Sequence, residues 1–176
     1  TNVTNSDSKM QDLLPKAFKK AWSETASAQL AKVTSDTETW LLPPLVDLCA
    51  RLREPGLQQH GTLASEGRAA RANGFLHVVI PPDTNPILEN GSLLKGLRER
   101  ALDDGGIYLH ILGALTEGLK GENPSNIAGL KKGGCIAASN ARQPFTNDLV
   151  LLRTLDYAAT FGMKVFFYTD EPSLSG

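Results

Sequence analysis

The sequence predicts an α/β fold in which about five parallel strands are covered by helices. Apolar runs of strand length alternate with segments in which leucine recurs at helical spacing. Residues 76–80 are apolar except for His77, as is typical of a strand buried on both faces of a parallel sheet. Because strand–helix–strand connections are right-handed, consecutive units of this kind join one parallel sheet.

A separate helical lead-in is predicted for residues 1–39. Apolar side chains recur there every three or four residues, which indicates an amphipathic helix, and Pro15 indicates a kink or a helix start. The recurring residues are Met10, Leu13, Leu14, Ala17, Phe18, Ala21 and Trp22.

The first strand–helix unit follows this lead-in. Residues 40–52 predict a strand with prolines near its start, and residues 62–73 predict a helix. Thr62 can cap that helix, Glu66 suits its positive end, and Gly74 suits the left-handed position after the last turn.

The next two strands are predicted at residues 76–80 and 107–112. Between them, a helix begins at about residue 92, and one apolar face of it would carry four residues. These are Leu93, Leu94, Leu97 and Ala101. After the third strand, Pro124 at a first-turn position starts a short helix that ends at the glycines 133–134.

The last predicted elements are a fourth strand within residues 135–142, a helix at 147–161 and a fifth strand at 164–169. Gly162 ends the helix. Its core-facing side would carry Leu149, Leu152, Leu155 and Ala159. Two architectures fit this pattern equally well: a doubly wound, flavodoxin-like sheet, which suits the length of 176 residues, and part of a barrel.

Composition indicates an ordinary globular domain. The apolar fraction is 41%, the net charge is −1, and no long apolar run predicts a membrane span or secretory segment. We therefore expect a cytoplasmic protein with no membrane partner. The sequence has neither a basic footprint for nucleic acid nor a nucleotide-binding motif. Its two cysteines, Cys49 and Cys135, are expected to be reduced and buried in strands.

Four segments together resemble the dihydroorotase family of the amidohydrolase superfamily. Residues 47–56 read Asp-Leu-Cys-Ala-Arg-Leu-Arg-Glu-Pro-Gly, which is similar to the family pattern Asp-x-His-x-His-Leu-Arg-Glu-Pro-Gly. Residues 75–86, 113–122 and 171–174 resemble the second strand with its substrate loop, the loop after strand three and the segment after strand five. The resemblance implies that residues 40–176 are the N-terminal part of a (β/α)₈ TIM barrel. A full barrel needs roughly 250 residues, so we expect the chain to be part of a longer one.

The resemblance also exposes departures at metal-binding positions. Cys49 and Arg51 stand where the family has its two histidines. On a strand these positions share one face, where two imidazoles can hold one ion. Arg51 has a permanent positive charge and no acceptor atom, so it cannot be a ligand. No second ligand accompanies Cys49, which is therefore interpreted as a small buried side chain.

Later strands depart in the same way. Asn140, or Ala141 beside it, takes the place of a ligand carboxylate after strand four, and Tyr168 replaces a metal histidine after strand five. Asp83 replaces an asparagine that helps to bind substrate in the family. His60, His77 and His110 have no metal-ligand spacing, and His110 is interpreted as a core histidine.

Two arginines at the mouth of the expected barrel, where the carboxyl ends of the strands lie, can each be interpreted in two ways. Arg53 matches the family arginine that holds the substrate carboxylate, as a planar guanidinium can. It is either a vestigial substrate-binding residue or a structural residue beside Glu54. Arg51 either plugs the emptied metal cavity, paired with Asp47 or Asp170, or is solvated at the mouth.

The resemblance implies a noncatalytic dihydroorotase-like protein of pyrimidine biosynthesis. Active relatives use zinc, whereas here we expect no cofactor and no catalytic residue. The expected partner is the catalytic chain of aspartate carbamoyltransferase, in a homo- or hetero-oligomer. Two alternatives stay open: an amidohydrolase with an altered site, in which Cys49, Asp170 and Glu171 recruit a metal, or a dicarboxylate-sensing module that uses Arg53.

Overall fold

A computed structural model describes residues 43–145 and 147–168. The chain divides into two compact units, Thr1–Pro43 and Pro44–Gly176. The predicted helical lead-in, residues 1–39, lies outside the described residues, and the elements below belong to the second unit. Within the described ranges, no helix has the length and apolarity needed to cross a membrane.

The second unit is built on a sheet of five parallel strands in sequential order. The strands are β1 (Leu45–Asp47), β2 (Phe75–Ile80), β3 (Tyr108–Ala114), β4 (Ala137–Ser139) and β5 (Lys164–Phe166). A flavodoxin-like sheet has its first two strands exchanged, in the order 2-1-3-4-5. The observed order therefore excludes that alternative and matches the front part of a barrel, as the resemblance predicted.

Four helices connect the strands. They are α1 (Leu63–Ala72), α2 (Gly91–Arg100), α3 (Ile127–Lys132) and α4 (Asp148–Thr160). A π-helical turn, Ala101–Gly105, extends α2. The main core lies between these helices and the outer sheet face, where Val78, Ile80, Leu109 and Ile111 are buried. Alternate strand residues point to opposite faces, so the smaller cluster of Val79, Leu112 and Ala137 lies on the inner face.

Glu54 ties the first loop to two helices. Its carboxylate accepts a hydrogen bond of 2.8 Å from the backbone N–H of Leu63, the first residue of α1, and it also pairs with Arg100 at the end of α2. Thr62 and Ser65 complete a capping box at the same helix end. Because Glu54 is 5% exposed, the loop 48–56 is anchored from within the core.

The structure corrects the predicted faces of two helices. Leu93 of α2 is exposed, whereas Leu94, Leu97 and Ala101 are buried as predicted. In α4 the predicted core face was wrong. Leu149, Leu152, Leu155 and Ala159 are exposed, and the buried residues are Thr154 and Ala158. The helix packs on the core through these two small side chains, whereas the spacing of its leucines pointed to a different face.

Two strands, β1 and β5, end earlier than predicted, and the short helix starts later. β1 ends at Asp47, so Cys49 and Arg51 lie in the loop that follows it and not on a strand face. Cys49 is exposed, not buried as predicted, while Cys135 is buried and burial raises the pKa of its thiol to about 11. The helix predicted from Pro124 starts instead at Ile127, capped by Asn126, whose side chain accepts from the N–H of Gly129.

Two glycines bring α1 against the π-helical turn. A Cβ on Gly67 would lie 2.7 Å from the Cα of Gly105. Replacement of Gly67 by alanine should therefore lower the free energy of unfolding by about 1–3 kcal/mol through overpacking. Gly96, in the middle of α2, has no atom within 4 Å of such a Cβ. Gly96→Ala is the matched control and should raise stability by about 0.5–1 kcal/mol. Urea unfolding of both variants tests the contact, and equal effects would contradict it.

Candidate functional site

A cavity of about 190 Å³ opens at the carboxyl ends of β1 and β2. It lies between the loop that follows β1 and the loop that follows β2. Its charged and polar lining residues are Arg51, Arg53, Glu54, Asp83, Thr84 and Asn85. Barrel proteins build their sites from loops at this end of the sheet. The structure thus brings Arg51 and Arg53 together with Asp83, which the sequence placed in separate motifs.

Arg51 is paired with Asp83. A guanidinium nitrogen of Arg51 donates a hydrogen bond of 2.7 Å to the Asp83 carboxylate, and the two side chains are 35% and 29% exposed. This hydrogen bond raises the pKa of Arg51 above its usual value, against the opposing effect of burial. The predicted pairing with Asp47 is wrong, because the Asp47 carboxylate accepts from the N–H of Cys49 and Arg51 pairs with Asp83. The alternative pairing with Asp170 stays a prediction, since Asp170 lies outside the described residues.

Arg53 lines the same cavity in a strained conformation. Its backbone has φ +66°, a left-handed value that side chains other than glycine adopt at a cost. The Arg53 carbonyl accepts from the N–H of Leu57 at 2.8 Å, which closes a turn of the loop. Its buried neighbour Glu54 makes the structural contacts of this motif. The Arg53 side chain is exposed and lines the cavity.

Asn140 is buried in a network of its own. Its side-chain oxygen accepts a 2.6 Å hydrogen bond from the Thr116 hydroxyl, which in turn accepts from the N–H of Gly121. Its amide group donates to the carbonyls of Leu119 and Gln143 at 3.3 and 3.0 Å. These bonds join the loops after β3 and β4. The Asn140 amide is therefore committed to backbone carbonyls. Whether Asn140 or its neighbour Ala141 matches the ligand carboxylate of the family pattern stays open.

Tyr168 lies two residues beyond the end of β5 and is exposed. The Arg142 guanidinium sits over its ring, 5.7 Å from the centroid, in a cation–π contact. A cation at this place is the opposite of what a metal-binding position needs. Nothing in the sequence indicated this contact between Arg142 and Tyr168.

Sequence reasoning also missed a pair of histidines on the inner sheet face. His77 Nδ1 and His110 Nε2 are 3.0 Å apart, and the His77 ring stacks on Tyr108. Burial lowers the pKa of both histidines, and a nearby positive charge acts in the same direction, from His110 for His77 and from Arg98 for His110. The signal was the alternation of β2 and β3, which puts both imidazoles on one face of paired strands.

Zinc, which the resemblance implies for active relatives, does not fit the donor set of the described residues; Asp170 and Glu171, which the altered-site alternative assigns to a metal, lie outside them. Within the part of the chain that the structure describes, no three His, Cys, Asp or Glu side chains are placed to share a metal ion. Arg51 offers no lone pair and is neutralised by Asp83, and the Asn140 amide faces carbonyl oxygens. The described mouth is therefore an arrangement of internal contacts.

Fold comparison defines the class of this half-barrel. L-Hydantoinase (dihydropyrimidinase) from Arthrobacter aurescens matches it with a TM-score of 0.59 at 17% identity, over 80% of this chain and 34% of that one. The described unit thus has the α/β barrel fold of that enzyme, as five consecutive strands of it.

Sequence comparison gives the family resemblance. No protein-family model matches the chain. A dihydroorotase-like protein from Pseudomonas aeruginosa is 38% identical over 133 residues, covering 76% of this chain and 31% of that protein. A dihydroorotase from Syntrophobacter fumaroxidans is 32% identical over 143 residues, covering 81% and 33%. These matches confirm the resemblance to the dihydroorotase family. The chain spans about a third of the length of these relatives.

The Asn140 network predicts the cost of restoring a carboxylate. Asn140→Asp removes both amide donors and sets a carboxylate against two carbonyl oxygens, so it should lower the free energy of unfolding by about 1–3 kcal/mol. Asn147→Asp makes the same exchange at the start of α4, where the side chain only accepts hydrogen bonds from Leu149 and Val150. Aspartate caps as well as asparagine, so this control should be nearly neutral. Thermal or urea unfolding at pH 7 measures both, and an equally mild effect at residue 140 would contradict the network.

Proposed function

We propose that this chain is a noncatalytic dihydroorotase-like protein of pyrimidine biosynthesis and a structural partner of the catalytic chain of aspartate carbamoyltransferase. The observation that carries the noncatalytic part is the Arg51–Asp83 ion pair. A fixed cation holds the position of a metal histidine, and a neighbouring carboxylate neutralises it.

The chemistry of the family explains why this observation matters. A metal-dependent amidohydrolase uses a bound dication to make hydroxide available at neutral pH and to polarise the amide. Arg51 cannot replace that ion, because a guanidinium has no coordination position for water and does not give up its proton. Cys49, Asn140 and Tyr168 each differ from the family pattern as well.

The partner role rests on the resemblance and on the exposed apolar surface of the described unit. Leu149 and Leu152 of α4 are more than half exposed, and Leu45 and Val46 of β1 are nearly so. The two leucines are three residues apart on α4 and lie on one side of that helix, whereas Leu45 and Val46 belong to the edge strand β1 at the other side of the sheet. Exposed apolar side chains that neighbour one another, as on α4, are typical of association sites. A protein that has kept its barrel motifs while losing ligands fits a role in assembly better than one in turnover.

A dicarboxylate-sensing module is the second candidate, favoured by Arg53. Its side chain reaches the cavity from a strained backbone, and such strain concentrates at functional sites. In that case the wild-type chain would bind a dicarboxylate without converting it, and Arg53→Ala would abolish the binding heat.

Restoring two histidines should not restore hydrolysis. The double variant Cys49→His and Arg51→His leaves Asn140 and Tyr168 unchanged, so the coordination set stays incomplete. We expect neither stoichiometric zinc by elemental analysis nor turnover of dihydroorotate, with an active dihydroorotase as the positive control. Cys49→Ser with Arg51→Gln is the matched variant for effects of losing the Arg51 charge. Hydrolysis by the histidine variant, or by the wild-type chain with zinc, would show that the site is catalytic.

Partner binding is tested with the purified catalytic chain of aspartate carbamoyltransferase from the same organism. Mixed with this chain, it should elute as one complex of defined stoichiometry in size-exclusion chromatography with light scattering. The matched control is the catalytic chain mixed with an active dihydroorotase from an unrelated bacterium. Separate elution of the two proteins at micromolar concentration would overturn the partner role and leave the noncatalytic assignment to the zinc and turnover measurements.

A further inference from the structure

We infer that Asp83 is a tethered ligand: its carboxylate occupies an anion site at Arg51, in the cavity that Arg53 also lines, and thereby keeps free carboxylates out of that cavity. The ligand class that the site would otherwise take is a small dicarboxylate. The inference rests on the proposed function in one respect, since it treats Arg51 as a lasting occupant of the lost metal position.

The contact between Arg51 and Asp83 is close enough to resemble the binding of a free carboxylate by an arginine. The 2.7 Å distance is that of a charge-assisted hydrogen bond. The two residues come from different loops, 32 positions apart in the sequence. Both line the cavity, so the carboxylate of Asp83 reaches Arg51 as an external carboxylate would.

Charge balance around the cavity supports the same view. Arg51 and Arg53 supply two positive charges, and Glu54 and Asp83 are the acidic residues that line the cavity. Glu54 is already bound to the N–H of Leu63 and to Arg100. Asp83 is therefore the carboxylate that balances the positive charge of the cavity lining. Its removal would leave the two arginines of the lining without a carboxylate bound to either of them.

A tethered group competes strongly with a free one. A side chain held near its binding partner acts at an effective concentration of about millimolar or higher. A free dicarboxylate must exceed that concentration before it displaces Asp83 from Arg51. In the wild-type chain the site is therefore closed to metabolite concentrations below this range.

The test removes the tethered carboxylate and measures the binding of succinate by isothermal titration calorimetry. Asp83→Asn keeps the shape of the side chain and supplies the residue type that the family pattern has at this place. We expect saturable binding in Asp83→Asn at least roughly tenfold tighter than in the wild-type chain, because a charge-assisted hydrogen bond to Arg51 becomes available.

Two controls isolate the cause. Asp103→Asn changes the net charge equally at an exposed position outside the cavity and should give no gain. Asp83→Asn combined with Arg51→Gln should lose the gain, because the guanidinium that Asp83 occupied is gone. Thermal unfolding verifies that each variant is folded, and Asp83→Ser serves as a second removal if the asparagine variant is unstable.

Three outcomes would overturn the inference: succinate binding by the wild-type chain as tight as by the variant, no gain in either Asp83 variant, or an equal gain in Asp103→Asn. Tight binding by the wild-type chain that Arg53→Ala abolishes would instead support the sensing module. None of these results depends on zinc content, turnover or complex formation, so failure of the proposed function and failure of this inference remain distinguishable.

Discussion

The structure of the candidate site depends on one buried carboxylate. Glu54 binds the first N–H of α1 and the guanidinium of Arg100 from the end of α2, and so fixes the loop that carries Arg51 and Arg53. A buried charge is stable only when it is paired and hydrogen-bonded, and Glu54 is both. The family motif has therefore kept its structural residue, while the residues around it have changed their chemistry.

Those changes are coupled to one another. Arg51 and Asp83 each depart from the family pattern, and together they form an ion pair whose charges cancel. Asn140, which with Ala141 stands at the ligand-carboxylate motif of the family pattern, has an amide whose two donors and acceptor are all used. The buried Asn140 side chain would be left unsatisfied without its present partners, whereas Arg51 and Asp83 are partly solvated. The described loops at the carboxyl ends of these strands are thus held together by internal contacts.

The sequence allowed the order of elements and the caps of α1 to be predicted, because Thr62, Gly74 and the apolar spacing act locally. It failed where tertiary contacts decide. The leucines of α4 indicated a face that is exposed, so its packing through Thr154 and Ala158 was not visible. The partner of Arg51 and the His77–His110 contact depend on the alignment of neighbouring strands and loops, which no local pattern encodes. Cys49 was predicted to be buried because β1 was expected to continue past Asp47.

The hydrogen bonds of Asn140 bear on the history of the protein. An aspartate at this one position would place its carboxylate against the carbonyls of Leu119 and Gln143. The protein would lose stability before a bound metal could compensate for it. Under the proposed function, intermediates between the present chain and a metal-binding ancestor would then be less stable than either. On that proposal, the absence of a metal site would be difficult to reverse, and selection would act on the outer surface of the barrel.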